Sequence, residues 1–149
     1  MFGNIYKTTW FGQPQSVGTG SSYYYTTGTG IQNGDFVDNS NWIFGAGWSV
    51  IDGECVYTPP GAQYSNLRQS TSFTNGDVVR ISFNLTDNDT NGIYVRVQSG
   101  TWSPLITGTG WKIFDLTVGN TTNAQFEIGP GYATESVALD NIFIIPKVV

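Results

Sequence analysis

Beyond residue 30 the chain alternates between apolar and polar side chains in short runs. In Val79-Arg-Ile-Ser-Phe-Asn-Leu85, Val79, Ile81, Phe83 and Leu85 share one face, the period of a half-buried strand. Ile93-Tyr-Val-Arg-Val-Gln98 repeats it, with Ile93, Val95 and Val97 inward and Tyr94, Arg96 and Gln98 outward. Lys112–Val118 groups Phe114, Leu116 and Val118, and Gln125–Ile128 groups Phe126 and Ile128. Val137-Ala-Leu-Asp-Asn-Ile-Phe-Ile-Ile145 is apolar on both faces, which predicts a central strand. Turn signals separate these runs, among them Asn33-Gly34, Asp52-Gly53, Asn75-Gly76, Asn91-Gly92 and Gly129-Pro-Gly131. No stretch keeps a helical period for about ten residues. About eight to ten short strands at this spacing predict an all-β, two-sheet antiparallel sandwich over 31–149.

Residues 1–30 break the pattern. They carry seven aromatic residues (Phe2, Tyr6, Trp10, Phe11, Tyr23, Tyr24, Tyr25), six glycines and one charge, Lys7. Irregular backbone is expected from Gln13 to Gly20, yet disordered tails are poor in aromatics. The segment therefore reads as an extended N-terminal arm ordered by packing on its own domain, a sister subunit or a larger assembly. Fully extended it reaches about 100 Å. Phe2, Tyr6, Trp10 and Phe11 are the expected assembly anchor, with Gly12 to Gly20 as the hinge. The alternative is a further strand pair that closes the same domain.

Composition narrows the chemistry. The chain has 149 residues, no histidine and one cysteine, Cys55. That removes the commonest general base and metal ligand, an internal disulfide and a cysteine-rich metal centre. A formal charge of -5 argues against nucleic acid as a partner. No window approaches the length of apolar chain that spans a membrane, and Met1–Lys7 lacks a secretory apolar run. The expectation is a protein made in a host cytoplasm. The nearest carboxylate pair, Asp87 and Asp89, sits in a polar hairpin loop and reads as solvated turn residues, so no catalytic residue is assigned and the chain is expected not to be an enzyme. Cys55 reads as a small buried apolar residue.

Ile31-Gln-Asn-Gly-Asp-Phe36, Asn41-Trp42, Gly47-Trp-Ser-Val-Ile-Asp-Gly53 and Ala138-Leu-Asp-Asn-Ile-Phe143 occur in that order. Together they resemble the carbohydrate-binding-module-like jelly rolls of the family 4/9/22 and galactose-binding-like type, over about residues 31–145. The resemblance implies a jelly-roll sandwich with Trp42 and Trp48 in packing positions. Such modules are appended to glycanases and also occur as accessory domains of bacteriophage virion proteins. Relatives often hold a structural calcium between the opening strand and the closing Asp, which maps onto Asp140 with Asp35 or Asp38 in support. Val37 stands where the relatives usually have Glu. The competing reading has Asp140 capping local backbone N–H groups.

Sugar recognition needs aromatic platforms and planar polar groups. Tyr94, Arg96 and Gln98, with Trp102 and Trp111 flanking the Gly-rich loop between them, are the candidate contact cluster for a glycan or a protein, since the same residue types dominate protein interfaces. Two function classes stay open at this point. One is a non-catalytic virion structural protein, in capsid decoration or a tail fibre, that joins other virion proteins or sister subunits by its arm and displays the jelly roll. The other is a free-standing carbohydrate-binding module that binds surface polysaccharide.

Overall fold

The computed structural model describes residues 30–59, 65–87, 92–132 and 134–147. Phe2, Tyr6, Trp10, Phe11 and Asp89 lie outside them. The described residues form eight strands: β1 (Trp48–Ile51), β2 (Glu54–Tyr57), β3 (Leu67–Ser70), β4 (Val78–Asp87), β5 (Ile93–Val97), β6 (Gly110–Thr117), β7 (Gln125–Pro130) and β8 (Val137–Pro146). They make two antiparallel sheets, one ordered β1-β2-β8-β4-β6 and one ordered β3-β7-β5. A single 3₁₀ turn at Thr121–Asn123 is the only helical element among the described residues.

The alternation predicted from sequence packs the interior. Val79, Ile81, Phe83 and Leu85 of β4 meet Ile93, Val95 and Val97 of β5 and Phe126 and Ile128 of β7 in one buried cluster. β8 does lie centrally, between β2 and β4. Its inward residues switch from Val137 and Leu139 to Ile142 and Ile144. That change of phase needs one extra residue, and Asn141 supplies it with a left-handed backbone at φ 55°. Trp42 and Trp48 are buried, as expected for packing residues. Trp42 lies 5.2 Å from Phe36 and donates from Nε1 to the Asn33 carbonyl at 2.8 Å. Trp48 lies 5.2 Å from Tyr57. Cys55 is fully buried, and burial pushes its thiol pKa well up, so it packs as an apolar residue.

The opening run Ile31–Phe36 is a turn, not a strand. Asn33 and Phe36 both have positive φ, and Gly34 lies so close to β8 that a Cβ there would sit 2.1 Å from the Ile142 carbonyl oxygen. This tight docking replaces strand pairing at the start of the described chain.

Candidate functional site

The outer face of the three-stranded sheet is built in cross-strand rows. Arg68, Glu127 and Arg96 stand opposite one another on β3, β7 and β5. In the next row Tyr94 faces Gly129. The side chain of Asn66 closes on the same glycine, whose absent Cβ would lie 3.0 Å from Asn66 Oδ1 and 3.8 Å from Trp102 Cη2. Glycine here leaves a floor on which two side chains converge. Asn66, Tyr94, Trp102, Gly129 and Pro130 enclose a groove of about 420 Å³.

Trp102 reaches this face because the chain after β5 folds back along it. Gly100 N–H donates to the Val97 carbonyl at 2.9 Å, Ser103 N–H to the Val95 carbonyl at 2.8 Å, and Ile106 bridges Ile93. Ser103 Oγ accepts from Val95 N–H at 3.1 Å. The returning segment lays the indole over the guanidinium of Arg96, 4.5 Å from the ring centroid. Arg96 Nε also donates to Glu127 Oε2. With a ring on one side and a carboxylate on the other, the guanidinium is held in place, and with it the indole. Glu127, 4% exposed, is the charged residue buried beneath this arrangement.

The five residues expected to form one contact cluster divide three ways. Tyr94, Arg96 and Trp102 come together as described. Gln98 does not share their face. β5 ends at Val97, Gln98 and Ser99 take left-handed backbone at φ 50° and 58°, and the Gln98 side chain swings inside with 0% exposure. There its carboxamide accepts from Phe73 N–H at 2.7 Å and from Thr71 Oγ1 at 3.2 Å, and donates to the Phe73 carbonyl at 2.9 Å. Period-two alternation stops being a guide to facing once the strand has ended. Trp111 belongs to the other sheet, on β6, where it is 44% exposed beside Ile113 at 57%. It lies on the outer face of the five-stranded sheet, opposite Asn84 of β4, away from the Trp102 groove.

Of the three aspartates expected for calcium, Asp35 lies close enough to Asp140 for its charge to act on it, whereas Asp38 is engaged within its own turn. Asp38 accepts from Ser40 N–H at 2.7 Å and from Asn33 Nδ2 at 3.1 Å, contacts that hold its carboxyl below the usual range. Asp140 accepts from Asn141 N–H at 2.7 Å and Asn141 Nδ2 at 2.6 Å, the local cap. Burial first, then the charges of Glu54 and Asp35, push its pKa up. Among the described residues no group of three or more His, Cys, Asp or Glu side chains is placed to hold a metal ion.

Asn66 and Gly129 were not legible as site residues. Glu127 was half visible, since the alternation in Gln125-Phe-Glu-Ile128 turns it outward. Its pairing with Arg96 depends on cross-strand register, which a single strand's pattern does not carry.

The two-sheet antiparallel architecture is that of a carbohydrate-binding-module-like jelly roll. A family 4 carbohydrate-binding module superposes with a TM-score of 0.52 and 18% identity, over 78% of this chain and 99% of that one. The enzymatically active domain of tailspike protein 4 from bacteriophage CBA120 superposes with a TM-score of 0.51 and 15% identity, over 80% of this chain and 21% of that one. No family model and no curated protein matches the chain. At these identities the likeness is one of fold.

Proposed function

We propose that this chain is a non-catalytic binding domain whose jelly roll contacts polysaccharide through the Tyr94–Trp102 groove. The observation that carries the reading is the groove itself: two aromatic rings, the Asn66 amide and a glycine floor, with the indole fixed by Arg96. Pyranose rings stack on Trp and Tyr through their apolar faces, while planar amides take hydroxyl groups. The fold shared with a carbohydrate-binding module supports it. The test is retention of the full chain on immobilised polysaccharides. Trp102→Ala abolishes retention on whichever polymer is bound, with a melting temperature within a few degrees of the parent. Equal retention of parent and variant discards the groove as a glycan site.

A virion location is the second part of the proposal. Its support is the composition of residues 1–30, rich in rings and nearly uncharged, together with the presence of this fold in a phage tailspike domain. On this reading the arm anchors in other virion proteins or sister subunits and the jelly roll is displayed outward. A chain lacking residues 1–30 then melts normally but fails to co-sediment with particles or to form oligomers. Normal assembly of the truncated chain overturns the anchor.

A further inference from the structure

The ion pairing on the outer face of the small sheet is lopsided. Arg68 and Arg96 flank Glu127 from either side, but only Arg96 is paired with it. No carboxylate among the described residues forms an ion pair with Arg68. Moreover, Arg68 Nε is buried and makes no hydrogen bond. Guanidinium groups present five donors in a planar fork, and a buried donor left unpaired is unfavourable. The cross-strand row thus carries one uncompensated positive charge in a chain whose formal net charge is -5.

This arginine sits beside the groove. It lies two residues on from Asn66, the residue just before β3, and opposite Glu127 on the outer face. β3 is one strand spacing, about 4.8 Å, from the β7 backbone at Gly129 that floors the groove. Asn66 stands on the β3 side of Gly129 and Arg68 one cross-strand row further on, opposite Glu127, so a substituent that extends past Asn66 along β3 runs toward Arg68.

Resting on the polysaccharide reading above, we infer that the groove selects an acidic polysaccharide, with Arg68 receiving the carboxylate of a uronic acid residue. A carboxylate matches the guanidinium fork with two parallel N–H···O bonds. It gives Arg68 the acceptor its resting position lacks, once the side chain turns to bring Nε and one terminal nitrogen toward the groove. Arg96 cannot take this part, because Glu127 and Trp102 already occupy it. Arg68 is a specificity-determining residue here, while the rings supply contact common to acidic and neutral sugars.

The experiment measures retention of the full chain on polygalacturonate and on the same polymer after full methyl esterification, at low and moderate salt. The parent prefers the free acid by about tenfold or more, the order expected of a charge-assisted pair, and the preference shrinks as salt rises. Arg68→Met removes the preference and leaves binding to the ester unchanged, and Arg68→Lys restores part of it by keeping the charge without the fork. The parent's salt response stands even if Arg68→Met folds poorly. Equal binding of acid and ester by the parent, or an unchanged preference in Arg68→Met, overturns the role of Arg68. If Trp102→Ala still weakens retention in that case, the polysaccharide reading survives alone. If neither polymer is retained while another polysaccharide is, the acidic selectivity falls alone; if no polysaccharide is retained, or Trp102→Ala changes nothing, both fall.

Discussion

Replacing Gln98 by leucine separates a surface role from an interior one. The carboxamide satisfies both the N–H and the carbonyl of Phe73 and takes the Thr71 hydroxyl, in a region closed to solvent. Leucine fills a similar volume but strands the two Phe73 backbone groups. Each buried group left unpaired costs about 1–3 kcal/mol, so the pair costs about 2–5 kcal/mol after part is offset by the leucine's own transfer from water. That is a large share of the ~5–15 kcal/mol that holds a domain together. At roughly 2–4 °C per kcal/mol for a domain of this size, the melting temperature falls by roughly 4–20 °C. Thermal melts by circular dichroism read this directly, with polysaccharide retention at low temperature as the control. Gln98→Glu sharpens the test. It keeps an acceptor for Phe73 N–H but puts a second oxygen against the Phe73 carbonyl. Only the protonated acid donates there, so the folded state raises the carboxyl pKa above about 4.3. Its stabilising contribution is complete below the unfolded value and is lost as pH rises through the folded one. The gap to the parent therefore narrows toward pH 4. A Gln98→Leu variant that melts within about 2 °C of the parent but loses retention would falsify the interior assignment.

Other substitutions probe other parts of the molecule. Gly129→Ala puts a methyl group 3.0 Å from Asn66 Oδ1 on the groove floor; polysaccharide retention should drop about tenfold, a change of about 1.4 kcal/mol, while the melting temperature moves little. Gly119→Ala places a Cβ 2.2 Å from Gly100 N and 2.4 Å from the Gln98 carbonyl oxygen, so it disrupts the turn that delivers Trp102 and lowers both stability and retention. Asp140→Asn keeps the acceptor for Asn141 N–H but removes a charge that burial and the neighbouring carboxylates disfavour. The raised folded pKa means that Asp140 supports folding below its unfolded value of 3.8, and loses that support as pH rises. The variant is accordingly more stable at pH 7, by less than about 1 kcal/mol after solvent screening, and equal to the parent near pH 3; a larger gain at pH 3 than at pH 7 contradicts the assignment.

How far the chain could be read in advance follows from where each strand buries its pattern. β4 and β5 announce themselves because one face is dry and the other wet, and β8 because both of its faces are apolar. β3 hid itself. In Leu67-Arg-Gln-Ser70 the second core-facing position is Gln69, whose amide accepts from Gln32 N–H at 2.7 Å and donates to the Gln32 carbonyl at 2.8 Å. A side chain thus stands in for a neighbouring strand, and its polarity disguises a buried position. β1 and β2 are four residues each, too short for a period, and were visible only through Asp52-Gly53 and the family resemblance. The site was harder still. Tyr94, Arg96 and Trp102 lie close in sequence and were found together, whereas Asn66, just before β3, arrives through a pairing that only the folded register defines. Trp111 was grouped with them by proximity along the chain, although β6 crosses to the other sheet.

The position of β8 also governs how the protein is made. It is synthesised last of the eight strands, yet β2 and β4 are held in one sheet only by pairing on either side of it. A nascent chain that has produced β1 through β7 therefore presents two fragments of the larger sheet with open, apolar edges and no strand to join them. Such intermediates invite pairing with other chains, and the long loops that must close before β8 can dock slow the search. Closure of the larger sheet accordingly waits for β8, and loss of a few residues from β8 should prevent formation of the whole sheet where the same loss from β1 would merely trim an edge.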